Sequence, residues 1–154
     1  MKKHTITAIL CAAVALIAAA IAGTSFLEAR KQTPIVKGPG VSEIKMLSDW
    51  FPGLKGSPGD TEVYILRGAK PGASMLVLGG THPNEPSGHL AAVMLIERAQ
   101  LPSGTLYVIP RANASGFTHN DAQEGAPQKF TIQTPAGPRV FRYGSRATNP
   151  IHQW

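Results

Sequence analysis

The sequence has little of several residue types, and each shortage excludes a class of protein. Its single cysteine, Cys11, lies inside an apolar run, so the chain can form no internal disulfide. Aromatic residues make up only 6% of the chain, and basic residues never occur in a run of more than two. Nucleic-acid-binding proteins usually combine basic clusters with aromatic side chains, so we expect no nucleic-acid partner.

The chain begins with a long uncharged segment. Residues 6–23 read ITAILCAAVALIAAAIAG, Lys2 and Lys3 precede them, and the next charge is Glu28. A basic start followed by an apolar run is typical of an export signal or a membrane anchor. The run approaches the ~20 residues that span a bilayer, and it also contains small-residue triplets that a signal peptidase could cut. We therefore predict that residues 1–27 form an apolar helix that is a signal peptide or a membrane anchor, with the domain on the periplasmic or other extracytoplasmic side.

The rest of the chain is mildly basic. The net charge of +6 includes Lys2 and Lys3, and without them thirteen Lys and Arg residues stand against nine Asp and Glu. The basic residues are scattered, which favours a site for a small anionic substrate over a broad polyanion surface.

Residues 28–60 are rich in proline and glycine, as in KQTPIVKGPG and FPGLKGSPGD. Both residue types interrupt helices and strands. We predict a tether leading into an irregular element around residues 41–50, with the regular fold beginning near Thr61 and residues 61–154 forming one domain.

The pattern after Thr61 predicts an α/β fold. Two strand-like segments, at residues 61–66 and 74–80, are separated by the turn-like GAKPGA. A helical pattern follows at 87–100, and then a strand at 105–110. Strand, helix and strand over this length form a βαβ unit, so the strands on either side of the helix should be parallel. FTIQT and RVFRY flank a Pro-Ala-Gly-Pro turn and predict a hairpin.

His82 and Glu85 lie at the end of the second of these strands, just after Gly79 and Gly80. One interpretation is local: Asn84 caps the helix, while Glu85 and Pro86 suit its first turn. That interpretation gives His82 no role. Ligands collect at the carboxyl ends of strands in α/β sheets, and imidazole nitrogen with carboxylate oxygen is a common zinc-binding combination. The spacing therefore favours a Zn²⁺ site at His82 and Glu85.

GGTHPNEPSG, residues 79–88, resembles the GG-x-H-G-N-E-x-x-G signature of the succinylglutamate desuccinylase and aspartoacylase family, relatives of the zinc carboxypeptidases. Pro83 stands where that family usually has glycine. VIPRANASGF and RYGSRATNP extend the resemblance more weakly. It implies a partial mixed or parallel sheet with a βαβ unit of the zinc-carboxypeptidase type. The implied activity is zinc-dependent hydrolysis of amide or ester bonds, on N-acyl amino acid-like or carboxypeptidase-like substrates.

The resemblance also implies roles for particular residues. His82 and Glu85 would hold the zinc, Arg142 would stabilise the oxyanion, and Asn149 with Arg146 would hold a substrate carboxylate. Pro150 replaces an arginine of the family pattern. For both arginines the alternative is a solvated charge on a surface hairpin.

Two parts of the family's site have no clear counterpart here. The family's third zinc ligand is a histidine well downstream of the glutamate, which we expect beyond Trp154. Within the chain the substitutes are His89, His119 and His152, and we expect His89 to be a surface helix residue. Glu124, the nearest substitute for the general base, is expected to be solvated. We therefore expect the chain to be the amino-terminal part of a longer enzyme, inactive alone.

Two other functions stay open. The chain could be a membrane-tethered binding domain without catalytic activity, in which His82 and Glu85 are only a structural pair. It could also be a nucleotide-binding module, but its glycines match neither the Rossmann G-x-G-x-x-G nor a P-loop with its lysine.

Overall fold

The computed structural model describes residues 3–29 and 31–153, and the chain forms two compact units that divide after residue 31. The first unit is helix α1 (Lys3–Ala29), whose described side chains are all exposed. Its mean hydropathy is 2.5 over its apolar window, which is enough in length and composition to cross a membrane. The predicted apolar N-terminal helix is thus confirmed, and it is compatible with either a signal sequence or an anchor.

The second unit is built on a mixed four-stranded sheet with the order β1-β2-β4-β3. Its strands are β1 (Val41–Met46), β2 (Glu62–Arg67), β3 (Lys70–Leu78) and β4 (Ser103–Ile109). The β1–β2 and β2–β4 pairs are antiparallel, whereas β3 and β4 are parallel. Helix α2 (Pro86–Arg98) connects the parallel pair. The predicted strand–helix–strand order and parallel pairing are confirmed.

A separate antiparallel hairpin follows, formed by β5 (Lys129–Thr134) and β6 (Gly137–Arg142). It has the position and the strand direction that the sequence pattern predicts. Phe141 on β6 is buried, and Arg139 forms an ion pair of 2.7 Å with Glu97 of α2. The hairpin therefore packs against the helix.

Two expectations about the start of the domain are wrong. The segment predicted to be an irregular element contains β1, so the sheet begins at Val41 and not near Thr61. β1 pairs with β2, and Ile44 lies opposite Tyr64. The hydrogen bonds of this pairing stabilise an extended strand in a segment whose neighbouring Pro and Gly residues indicated irregular structure. Most of the predicted turn GAKPGA also belongs to a strand, because β3 begins at Lys70.

The core lies between the sheet and α2. Apolar side chains from alternate positions of the strands meet one face of the helix, as the period of two in strands and 3.6 in helices requires. The buried cluster consists of Val41, Tyr64, Leu66, Ala92, Ile96, Leu106 and Val108.

Strand β3 lies at the edge of the sheet. Among the described residues, no strand pairs with its outer side. Met75, Leu76 and Leu78 are exposed, with 66%, 57% and 55% of their surface accessible. The carboxyl end of this edge strand leads directly into the loop that carries His82.

Candidate functional site

The loop after β3 is shaped by Gly80. Its backbone has φ of 66°, in the left-handed region, and a Cβ there would lie 2.8 Å from both the Pro110 carbonyl oxygen and the Phe117 ring. A larger residue would meet both strain and a clash. Glycine therefore lets the chain turn tightly at the end of the strand and brings His82 to the sheet edge.

His82 and Glu85 lie side by side on this loop. His82 Nδ1 is 3.4 Å from Glu85 Oε2, and both side chains are partly open to solvent. The Glu85 amide donates to the His82 carbonyl at 2.9 Å, which closes the turn between them. The sequence predicted that these side chains would converge, and the structure places them together.

The interpretation of this segment as an ordinary helix cap is wrong in one respect. The N-cap position of α2 is Glu85, not Asn84, and no side chain forms a cap hydrogen bond there. Pro86 does occupy the first turn, as predicted.

Arg146 joins the pair from a loop sixty-one residues further along the chain. Its Nη1 donates to Glu85 Oε1 at 2.8 Å. Its backbone amide donates to both carboxylate oxygens of Glu124, at 2.9 and 3.1 Å, and Ser145 Oγ donates to the same carboxylate at 3.2 Å. The expectation that Glu124 is merely solvated is therefore wrong.

The loop that carries Arg146 is docked on the His82 loop by its backbone. The Gly144 amide donates to the Pro83 carbonyl at 3.3 Å, and the Ser145 amide donates to the Gly116 carbonyl at 3.0 Å. Pro83 is almost completely buried beneath this contact. Proline at the position where the resembling family has glycine thus forms part of the packing between the two loops.

Arg142 and Asn149 lie deeper. Arg142 is 3% exposed; its Nε donates to the Phe117 carbonyl, and its Nη2 to Asn120 Oδ1 at 3.3 Å. Asn149 is also buried, and its Nδ2 donates to Thr118 Oγ1 at 2.8 Å. The alternative of a solvated Arg142 is wrong. Both residues hold the turn at residues 117–120 in place, while their substrate roles stay predictions.

His89 was expected on the surface and is instead buried. Its Nδ1 lies 2.8 Å from the Pro110 carbonyl oxygen, and its ring packs against Phe117 and Phe141, with centroids 5.1 and 6.3 Å away. Burial lowers the pKa of His89, so the neutral ring is favoured. A hydrogen-bond acceptor for one ring nitrogen and two aromatic neighbours thus accommodate a neutral histidine on the buried side of α2.

The other two histidines of the domain, His119 and His152, also have polar neighbours or partly buried positions. His152 Nδ1 lies 2.7 Å from Ser115 Oγ, and burial lowers the pKa of His119. No group of three His, Cys, Asp or Glu residues suited to a metal occurs in the part of the chain that the structure describes. Among the described residues, none of His89, His119 and His152 joins the His82–Glu85 pair.

Sequence reasoning named Glu124 only as a substitute for the general base and missed Ser145 as part of this site. The two residues are twenty-one residues apart, and their contact depends on how two loops dock. Ser145 lies in RYGSRATNP next to Arg146, but nothing in that segment indicates that its side chain would meet Glu124.

Fold and site together define a mixed α/β domain with a His, a Glu and an Arg side chain clustered at the carboxyl end of an edge strand. Comparisons with protein-family models, curated proteins and solved structures found no match. The resemblance to the desuccinylase and aspartoacylase family therefore stays an inference from residues 79–88 and their surroundings.

Proposed function

We propose that the chain carries part of a zinc-dependent hydrolase site for amide or ester bonds. The substrates would be small anionic molecules such as N-acyl amino acids or peptide-like carboxylates. The observation that supports this best is the placement of His82 Nδ1 3.4 Å from Glu85 Oε2 at the end of β3.

The donor pair fits zinc in type and in spacing. Zinc takes imidazole nitrogen and carboxylate oxygen at ~2.0–2.2 Å, so two such donors around a tetrahedral ion lie about 3.4 Å apart. His82 and Glu85 have this separation without rearrangement. When bound, zinc would polarise the scissile carbonyl and activate water.

Side chains of the protein would bind the substrate and stabilise the oxyanion. Arg146, exposed beside the pair, would bind a substrate carboxylate through charge-assisted hydrogen bonds. Asn149 and Arg142 are buried and hold the neighbouring turn at residues 117–120. In this proposal Asn149 would also contact the substrate carboxylate, and Arg142 would stabilise the oxyanion. The apolar helix α1 would deliver the domain to the extracytoplasmic side of a membrane or hold it there.

The zinc site can be tested on residues 1–154 in detergent. Zinc is titrated against a competing chelator for the parent chain and for H82A and E85A, and far-ultraviolet circular dichroism monitors the fold. Loss of most zinc affinity in both variants with an unchanged spectrum is the expected result. If both variants bind zinc as the parent does, the assignment fails, because a merely structural Glu85 would change only stability.

One observation favours a second function, a membrane-tethered binding domain without catalysis. The described residues supply two zinc donors, whereas catalytic zinc usually has three protein ligands. With two ligands we expect zinc to exchange readily. A panel of N-acyl amino acids separates the two functions: saturable binding without turnover at saturating zinc supports the binding domain, and turnover supports the hydrolase.

A further inference from the structure

The carboxylate of Glu85 is shared between two partners. Its Oε1 accepts a hydrogen bond from Arg146 Nη1 at 2.8 Å, and its Oε2 faces His82 Nδ1 at 3.4 Å. The guanidinium thus supplies at Glu85 the positive charge that a bound cation would otherwise supply. A metal ion between His82 Nδ1 and Glu85 Oε2 would share this carboxylate with Arg146, and the positive charge of Arg146 would oppose its binding.

Arg146 has a fixed backbone and an open side chain. Its amide is held by Glu124, and the neighbouring Ser145 is completely buried and bonded to the same carboxylate. The Arg146 side chain, by contrast, is 61% exposed. A long side chain on an anchored backbone can leave Glu85 by rotamer changes alone, without any movement of the loop.

We infer that Arg146 is an internal counter-cation for Glu85 that competes with a divalent metal ion for the charge of this carboxylate. This inference rests on the proposed zinc site. In the metal-free chain the guanidinium neutralises Glu85 and weakens the apparent metal affinity. When its side chain turns away from Glu85, the anchored loop keeps Arg146 at the rim of the site, where its charge is available to an anionic group of the substrate.

The inference predicts that removing Arg146 strengthens metal binding. An exposed ion pair of this kind is weak, and its loss should tighten zinc binding by about two- to fivefold. The effect should shrink at high ionic strength, since salt screens exposed charges. A residue that supports the metal site would have the opposite effect when removed.

The experiment uses residues 1–154 in detergent, titrated with zinc alone against a competing chelator at neutral pH. Three variants are compared with the parent: R146Q, which removes the charge; R146K, which keeps it; and R98Q, which removes an exposed arginine on α2. We expect tighter zinc binding for R146Q, and near-parent binding for R146K and R98Q. Circular dichroism verifies that each variant is folded.

The outcomes separate this inference from the proposed function. If R146Q binds zinc as the parent does or more weakly, while H82A and E85A lose zinc, the zinc site stands and the counter-cation role of Arg146 is overturned. If R98Q tightens binding as much as R146Q, the effect is one of net charge and the role is likewise overturned. If the parent itself binds no zinc, both the proposed function and this inference fail.

Discussion

Gly80 controls the direction in which the chain leaves β3, and its replacement should disturb the metal pair. Its left-handed φ costs a non-glycine residue about 1–2 kcal/mol, and a Cβ would also press against Pro110 and Phe117. We expect G80A to lower the free energy of unfolding by more than this backbone cost alone and to weaken zinc binding. Urea unfolding and zinc titration measure the two effects.

Gly56 is a matched control for this substitution. Its φ is 74°, but a Cβ there would meet nothing within 4 Å. G56A should therefore show the backbone cost without the clash, and zinc binding should be unchanged. Equal losses of stability in G80A and G56A would show that the close packing around Gly80 has no energetic consequence.

His89 should make the stability of the domain depend on pH. Burial lowers its pKa below the ordinary value of 6.5, so the folded chain binds a proton less readily than the unfolded chain. The contribution of His89 to the free energy of unfolding is complete above pH 6.5 and is lost as the pH falls through the lowered pKa. The unfolding free energy should fall over this range by at most about 1.4 kcal/mol per pH unit.

H89N tests this assignment. The asparagine amide can still donate to the Pro110 carbonyl, but it does not titrate. We expect H89N to be less stable overall, since it loses the ring contacts with Phe117 and Phe141, yet to have a flatter stability profile as the pH falls below 6.5. Urea unfolding across this pH range gives the slope. If H89N keeps the full slope of the parent, another group is responsible, and His119 is the first to examine.

At the scale of elements, the sequence pattern predicted those strands and helices whose conformation depends on nearby residues. The strand, helix and strand around α2 follow from hydrophobic periodicity and from Pro and Gly at their ends, and the parallel pairing follows from the crossover. β1 could not be predicted in this way. Its strand conformation depends on pairing with β2, a contact between distant residues that no short window of sequence reveals.

In the candidate site, too, contacts between residues close in sequence could be predicted, whereas contacts between distant loops could not. His82 and Glu85 are three residues apart, so the turn alone brings them together, and their proximity could be read from the sequence. Arg146 was identified as a candidate, but its contact with Glu85 depends on the docking of two loops. Glu124 was expected to be solvated because nothing in its own segment shows that the amide of Arg146 would lie above it.

The exposed edge of β3 should promote association between copies of the chain. Residues 74–78 carry no charge, and unpaired edge strands of this kind readily pair with other strands. A second copy offers the same uncharged strand. We expect L76K to reduce self-association in sedimentation velocity experiments at matched detergent concentration.

Met94 on α2 provides the control for the edge strand, because it is as exposed as Met75 yet does not lie in the sheet. M94K should leave the association unchanged. An equal reduction in both variants would indicate that charge in general opposes association, and would exclude a particular role for the edge of β3.

At the scale of the whole molecule, the apolar helix α1 determines where the domain can act. Its hydropathy and length allow it to enter a membrane. Lys2 and Lys3 lie at its start, and Glu28, Arg30 and Lys31 follow its apolar run. Because a basic start followed by an apolar run is typical of export signals and anchors, we predict that the N-terminus is cytoplasmic and that the domain is extracytoplasmic.

Cysteine labelling can test this orientation, since Cys11 is the single native cysteine. In a C11S background, K55C places a thiol in an exposed turn of the domain and K3C places one at the start of α1. A membrane-impermeant maleimide should label K55C in intact spheroplasts and K3C only after permeabilisation. The mass of the labelled K55C chain then distinguishes an anchor, which retains residues 1–27, from a cleaved signal. Labelling of K55C only after permeabilisation would place the domain, and with it the His82–Glu85 pair, in the cytoplasm.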